Sequence, residues 1–558
     1  MYGHNLKYYR YSIALSVIAL LLFTACGSSS KKGSTDNVFC YNESNGITSL
    51  DPAFSRDLEI MWATNQLFDG LVEMDSNLNV IPCIAKSWSI SEDGLRYEFH
   101  LRDSVYFHPS SLFKDTAQRK VVAQDFVYSF SRILSPKVAS PGKWIFSNVN
   151  TGRNGGFEAI NDTTLIIHLK EPFQPFLAML SMQYCSVVPH EVVEHYGADF
   201  RSHPIGTGPF KFAFWYEDVA LVFHRHEHFW QRDERGVQLP YLDAVKIDFV
   251  KDMSVEFQGL LQGVYDFMSG IHTSFKDELL DMEGNIVEAY KEQLHFQKTP
   301  FIKTDYLGIM MDSTMEISKN SPLMNLKVRQ AISYAINKNE MVKYLRNNTV
   351  ITANAGFVPP SLLKREHNEV NHYEYNPRLA SQLLDEAGYK DRKKLGTITI
   401  STTSDYADLM EYIQHEWEKI GVSTRVNVLQ GPALREQSAN GQLAVFRKSW
   451  LADYPDAENF LAVFYTPNFC PAGPNYTHFS EPQYDLLYRK SRTENNDSLR
   501  IELYRSLDSL LMSQAPVIPL YYDQVSHFVR NNIHGLQTNP VNMLDLKTVK
   551  KTSATEAL

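Results

Sequence analysis

Ser91-Glu92-Asp93-Gly94-Leu95-Arg96-Tyr97-Glu98-Phe99-His100-Leu101-Arg102-Asp103 is a turn followed by a strand written in plain alternation. Leu95, Tyr97, Phe99 and Leu101 fall on one side of an extended chain, and Arg96, Glu98 and His100 on the other, which is the period of a half-buried strand. Asp93-Gly94 supplies the turn ahead of it, because glycine reaches left-handed backbone without steric cost. Thr164 to Lys170, rich in β-branched residues, predicts a second strand close enough to share the same small sheet. Between them, Ala123 to Leu134 reads as a helix.

Further along, the period changes. Val328, Ala331, Ile332, Ala335 and Ile336 form one apolar helix face that needs a sheet to pack on. Asn376 caps a helix opened by Pro377, with Ala380, Leu383, Leu384 and Ala387 as its buried stripe and Gly388 as its stop. A further helix is expected from Asp408 to Ile420, flanked by strands at Thr397 to Thr402 and Ser423 to Val428. The region 300 to 520 therefore predicts a βαβ-type lobe with a largely parallel sheet.

The 558 residues exceed what one core holds, since single cores stop growing near ~250–300 residues, so two or three lobes are expected. A composition of 44% hydrophobic and 21% charged residues fits a folded soluble protein, and the net charge of −10 argues against a nucleic-acid surface. At the N-terminus, Lys7 and Arg10 precede an apolar run from Ile13 to Phe23, then Thr24, Ala25 and Cys26. This reads as a secretory signal, shorter than the about 20 apolar residues of a membrane-spanning helix. Residues 27 to 34, small and polar, read as a flexible tether. Cys40, Cys83, Cys185 and Cys470 are too irregularly spaced for a zinc ribbon; the expectation is mostly buried thiols, with room for one bridge.

Arg447-Lys448-Ser449-Trp450-Leu451-Ala452-Asp453-Tyr454-Pro455-Asp456 places a cation and an anion six residues apart around a tryptophan. Such spacing suits a grip on both ends of a zwitterion, while local chemistry alone explains Asp453 as the opening of a turn ahead of Pro455. Two histidine groups invite a metal reading. His190-Glu191-Val192-Val193-Glu194-His195 misses the zinc-protease spacing by one residue, which places the two rings on different helix faces. His224, His226 and His228 alternate and would share a strand face, the basis for a competing metal-dependent surface hydrolase, although structural roles explain such histidines as well. No nucleotide-binding glycine loop and no G-x-S-x-G sequence is present, so nothing argues positively for catalysis or a cofactor.

Several stretches in order resemble the family 5 extracellular solute-binding proteins, the oligopeptide and dipeptide receptors of bacterial ATP-binding-cassette importers. They begin with Leu50-Asp51-Pro52, Leu67-Phe68-Asp69-Gly70-Leu71 and Ala85-Lys86-Ser87-Trp88, then Ser91 to Leu95, Phe99 to Asp103 and Phe107-His108. Gly206-Thr207-Gly208-Pro209-Phe210, Tyr241-Leu242-Asp243, Val328-Arg329-Gln330-Ala331, Glu386-Ala387-Gly388-Tyr389 and Pro516 to Leu520 continue the series. Phe23-Thr24-Ala25-Cys26 is similar to a bacterial lipobox, with Phe23 where leucine is usual. Ser104 stands where the family often has glycine, Gly308 to Asp312 lacks the usual Asn after the strand, and Ala457 replaces a frequent proline.

The resemblance implies an α/β fold of two lobes in the periplasmic-binding-protein manner (type II, cluster C), with an additional α+β domain inserted. It divides the chain into a signal peptide at 1–25, a tether at 26–36, a first lobe from 37–70, 203–300 and 522–558, the inserted domain at 71–202, and a further lobe at 301–521. It implies lipidation at Cys26, a monomer on the periplasmic side of the cell envelope, a peptide ligand, and permease and ATPase partners. Asp453 would bind the peptide amine, and Arg447 is placed to meet its carboxylate, with a salt bridge as the other explanation. Leu58, Ser449, Trp450, Leu451 and Tyr454 would line the cleft, the backbone of Ser449, Leu451 and the segment around Leu58 pairing with the peptide. A nickel chelate or an oligosaccharide is the alternative solute, for which Asp453 has no obvious use.

Overall fold

The computed structural model describes residues 37–552 apart from 115–118, 153, 273 and 367–371. The expected signal peptide, tether and Cys26 lie outside the described residues. Alternation decides the small sheet: Arg96–Leu101 pairs antiparallel with Ala85–Ile90 on one side and Thr164–His168 on the other, with Phe157–Asn161 beyond. Tyr97, Phe99 and Leu101 are buried, and the helix Ala123–Leu134 lays Phe126 and Phe130 among them. Burying such aromatics is the main stabilising contribution here, at roughly 25 cal/mol per Å² of apolar surface.

A second, eleven-stranded sheet runs through both lobes. In the first lobe Val38–Asn42 pairs parallel with Ala244–Asp248 and with Phe267–Ser269, and Ala220–Arg225 and Phe210–Tyr216 continue antiparallel. In the second, Thr397–Thr402 pairs parallel with Ser423–Val428 and Val445–Leu451. Two long strands, Leu294–Ile309 and Val517–Arg530, join the halves and pair antiparallel with each other. The largely parallel sheet expected for 300 to 520 is thus corrected to a mixed one. The chain leaves the first lobe along one long strand and returns along its neighbour, so these two run in opposite directions. Their register breaks between Pro300 and Thr304 and again between Asp305 and Tyr306, and Lys303 spans the gap to Asp523 at 2.6 Å. Such bulges bend a strand locally.

Helices on the second lobe follow their apolar stripes. Val328, Ala331, Ile332, Ala335 and Ile336 are all buried in one core with Leu384, Ile400 and Trp417. Asn376 accepts from the Leu379 N–H at 3.0 Å to open Pro377–Glu386. Buried Arg329 donates to the Gln514 carbonyl at 2.8 Å, satisfying the exposed end of the helix Asp497–Gln514, and to the Leu323 carbonyl at 2.8 Å. The four described cysteines are all free, three of them buried, so the room left for one bridge is not used.

Gly206 and Gly208 are demanded by close approach rather than by unusual dihedrals. A Cβ on Gly206 would stand 2.0 Å from the Leu67 carbonyl oxygen, and one on Gly208 would stand 2.6 Å from the Leu67 carbonyl carbon. Both press on the end of the helix Leu58–Leu67. Gly206→Ala is therefore expected to lower stability by about 3 kcal/mol, at the upper end of overpacking costs. Gly431→Ala, at the start of a helix where an added Cβ would meet only the Arg435 side chain at an ordinary 3.5 Å, should leave the melting temperature unchanged or raise it. Urea unfolding of the two variants checks the contrast.

Candidate functional site

Strand Val445–Leu451 hydrogen-bonds along its whole length to Leu294–Ile309, but on its other edge the ladder to Thr397–Thr402 stops at Phe446. From Arg447 to Leu451 that second edge has no strand partner among the described residues. The chain then turns through 452–455 into the short helix Ala457–Leu461, which Asp456 caps by accepting from the Glu458 N–H at 2.8 Å. Glu458 is buried and accepts from the hydroxyls of both Tyr454 and Tyr488, so the turn is fixed from beneath.

Asp453 projects from this turn. Its nearest polar partner is the Asn459 amide, which donates to Asp453 Oδ2 at 3.4 Å, while Asn459 Oδ1 accepts from the Trp450 indole at 2.9 Å. No ion pair to Asp453 exists among the described residues. Asp453 is exposed where it opens onto a cavity, and the protein around it still desolvates the carboxylate enough to push its pKa above the ordinary aspartate range, with the Asn459 amide pulling the other way.

The cavity measures about 620 Å³, within the usual range of small-ligand sites. It is lined by Arg56, Leu58, Met61 and Asn65, by the segment around Met182, and by Leu451 to Pro455. Its charges are uneven: Asp69, Glu73, Asp75, Asp453 and Asp545 against Arg56 and Lys547. Lys547 is spoken for by Glu73 at 2.7 Å and Asp545 at 3.3 Å. Asp69 accepts from Thr207 at 3.0 Å and Trp230 at 3.1 Å, and burial pushes its pKa up to about 6. Arg56 has no carboxylate partner among the described residues.

Arg447 is elsewhere. It is 8% exposed, does not line the cavity, and holds Asp305 through Nε at 2.9 Å and through Nη2, with the Tyr406 ring 3.2 Å from the guanidinium carbon. Burial alone would lower its pKa, but the Asp305 charge raises it above the ordinary arginine value. Of the two explanations weighed for Arg447, the salt bridge describes its surroundings. Leu58 does line the cavity, but as the first residue of a helix, so it offers N–H groups and not a strand edge. Trp450 acts on the site through Asn459, Leu451 and Tyr454 stand on the cavity wall, and Ser449 lies on the strand with the open edge.

The histidines have structural uses. The strand Ala220–Arg225 ends before His226, whose Nδ1 lies 3.2 Å from the Gly208 carbonyl and whose ring meets His108 edge to face at 4.8 Å. Burial holds the His226 pKa down at about 4, whereas His224 and His228 are exposed. His190 and His195 lie on the helix His190–Tyr196, and no group of three metal-ligating side chains is gathered among the described residues. Asn459 and Arg56 are the site residues that sequence reasoning missed. Arg56 sits two places before Leu58, in a stretch read only for its neighbour.

The profile described as "Bacterial extracellular solute-binding proteins, family 5 Middle" matches residues 79–469, well over half of the chain. The dipeptide-binding protein DppE of Bacillus subtilis is 27% identical, the alignment covering 96% of each chain. Heme-binding protein A of Haemophilus influenzae is 26% identical, covering 90% of this chain and 92% of its own length. Among solved structures, the periplasmic binding protein DppA of Helicobacter pylori in complex with the peptide STSA superposes with a TM-score of 0.73 at 25% identity, over 92% of this chain and 98% of that one. With a continuous sheet joining two lobes, a cavity walled by both and a profile match over most of its length, the chain belongs to the family 5 bacterial extracellular solute-binding proteins.

Proposed function

We propose that this protein is a lipid-anchored receptor that binds a peptide in extended form between its lobes and delivers it to the permease and ATPase of an ATP-binding-cassette importer. The observation that carries this reading is Asp453, a carboxylate opening onto a cavity with no cationic partner among the described residues. A peptide α-ammonium supplies that cation, forming a strong charge-assisted bond where the carboxylate is partly desolvated. The unpartnered edge from Arg447 to Leu451 suits pairing with an extended peptide backbone, which gives affinity without reading side chains. Arg56, which lines the same cavity with no carboxylate partner among the described residues, takes the carboxylate end in place of Arg447.

The bulged crossing of the two long strands supports lobe boundaries near 300 and 521, where a closing motion would bend the sheet. No helix among the described residues is long and apolar enough to cross a membrane, so attachment on the periplasmic side would rest on lipidated Cys26. The relatives' printed names, dipeptide-binding and peptide-complexed proteins among them, agree with a peptide ligand. One observation favours a second reading: Met61, Met74, Met182 and Met543 give the cavity a soft, adaptable lining suited to a bulky apolar solute such as heme.

Calorimetric titration separates the two. Di- and tripeptides with free amines should bind, and hemin and N-acetylated peptides should not compete with them. Asp453 must be ionised to hold an ammonium, which lowers in the complex the pKa that burial raises in the free protein. Affinity is therefore complete above the free-state pKa and falls as pH drops through it, while acetylated peptides show no such fall. Tight hemin binding with no response to peptides would exclude the peptide reading.

A further inference from the structure

A second cavity, of about 360 Å³, lies in the first lobe beyond the helix Leu58–Leu67, with Leu58 on the boundary between it and the main cavity. Three carboxylates line it, Glu43, Glu59 and Glu256, and no lysine or arginine does. They come from three elements: the end of strand Val38–Asn42, the first turn of helix Leu58–Leu67, and helix Met253–Gln262. Glu59 accepts from the Asn45 amide, and Asn42 bonds Glu256. Glu43 is different. It is only 8% exposed, yet its carboxylate has no hydrogen bond and no ion pair among the described residues.

A carboxylate with so little solvent around it is costly to ionise, and a cation in the cavity onto which it opens would offset that cost. Desolvation, with Glu59 and Glu256 adding repulsion, raises the Glu43 pKa well above the ordinary value, which a bound cation would reverse. Trp62, Phe257, Phe267, Phe275 and Met268 give the cavity aromatic and thioether faces, and Asn42, Asn45, Ser269 and His272 add polar groups. The carboxylates are not gathered closely enough to form a metal-binding group, and Ca²⁺ needs six to eight converging oxygens. Separated carboxylates among aromatic faces instead match an elongated organic cation, its ammonium or guanidinium ends on the acids and its methylenes on the rings.

We infer that this cavity is a second binding site, taking an alkylammonium or guanidinium group on an extended chain, with Glu43 as its central counter-ion. The group has two sources: a free diamine or polyamine, or the basic side chain of a peptide whose backbone lies in the main cavity across Leu58. The first is independent of the peptide reading, and the second rests on it.

The test is calorimetry of the full-length protein with 1,5-diaminopentane, spermidine and the dipeptides Ala-Lys and Ala-Ala, on wild type, Glu43→Gln, Glu59→Gln and Asp453→Asn. Diamine binding lost at least tenfold in Glu43→Gln and retained in Asp453→Asn identifies a free-amine site. No diamine binding, but an Ala-Lys preference over Ala-Ala that Glu43→Gln abolishes, identifies a side-chain pocket. Glu59→Gln should weaken the same ligands less, and it decides the matter should Glu43→Gln fail to fold. Equal affinities in wild type and both glutamate variants, or amine binding that depends on Asp453 alone, would overturn the inference while leaving the peptide reading intact.

Discussion

Asp453→Asn is expected to weaken a free-amine dipeptide by about a hundredfold, close to 3 kcal/mol, and to leave its N-acetylated counterpart within about threefold of wild type. The asparagine keeps the shape of the side chain and its contact with Asn459, so the turn should not change. What is lost is the negative charge facing the ammonium. Truncating one member of a desolvated ion pair leaves the other unpaired, and that accounts for the size of the effect. Paired titrations of both peptides on both proteins check it; equal losses for the two peptides would remove Asp453 from the amine.

Asp305→Ala should be the most destabilising single change considered. Asp305, on the long strand Leu294–Ile309, is fully buried and carries the Arg447 guanidinium, so its removal leaves a buried cation without a partner. The expected loss is about 3–5 kcal/mol, seen as a lower urea midpoint. Replacing both, as Asp305→Leu with Arg447→Met, should recover much of that loss, because an apolar pair leaves no charge unpaired. The double variant should also bind peptides within about threefold of wild type, whereas Arg56→Ala should lose about tenfold on peptides with a free carboxylate. The opposite pattern, with Arg56→Ala silent and the double variant impaired, would return Arg447 to the ligand.

Local periodicity made most of the fold legible. The alternation from Leu95 to Leu101 located a strand that begins one residue later, at Arg96, and the capping residues Asn376 and Pro377 opened a helix where one is found. The mixed pairing of the second lobe was not legible, because strand direction depends on how the chain enters and leaves a lobe some two hundred residues apart. The site divides in the same way. Asp453 announces itself by chemistry within its own turn, whereas the partner that occupies Arg447 is Asp305, 142 positions away on another strand. Spacing of six residues suggested one grip, but the strand that carries Arg447 ends at Leu451, and the turn after it takes Asp453 to the cavity while Arg447 stays buried on Asp305. Arg56 and Glu43 were invisible for a related reason: what marks them is a missing partner, and a sequence does not show who is absent.

The central claim is that a peptide amine fills the charge vacancy at Asp453. A crystal structure of the protein with a free-amine tripeptide tests it most directly. The account predicts the ammonium nitrogen about 2.7–2.9 Å from an Asp453 carboxylate oxygen, with the peptide backbone along the open edge of Val445–Leu451. A peptide held in the cavity with its amine on Asp69 or in solvent, and Asp453 untouched, would contradict it.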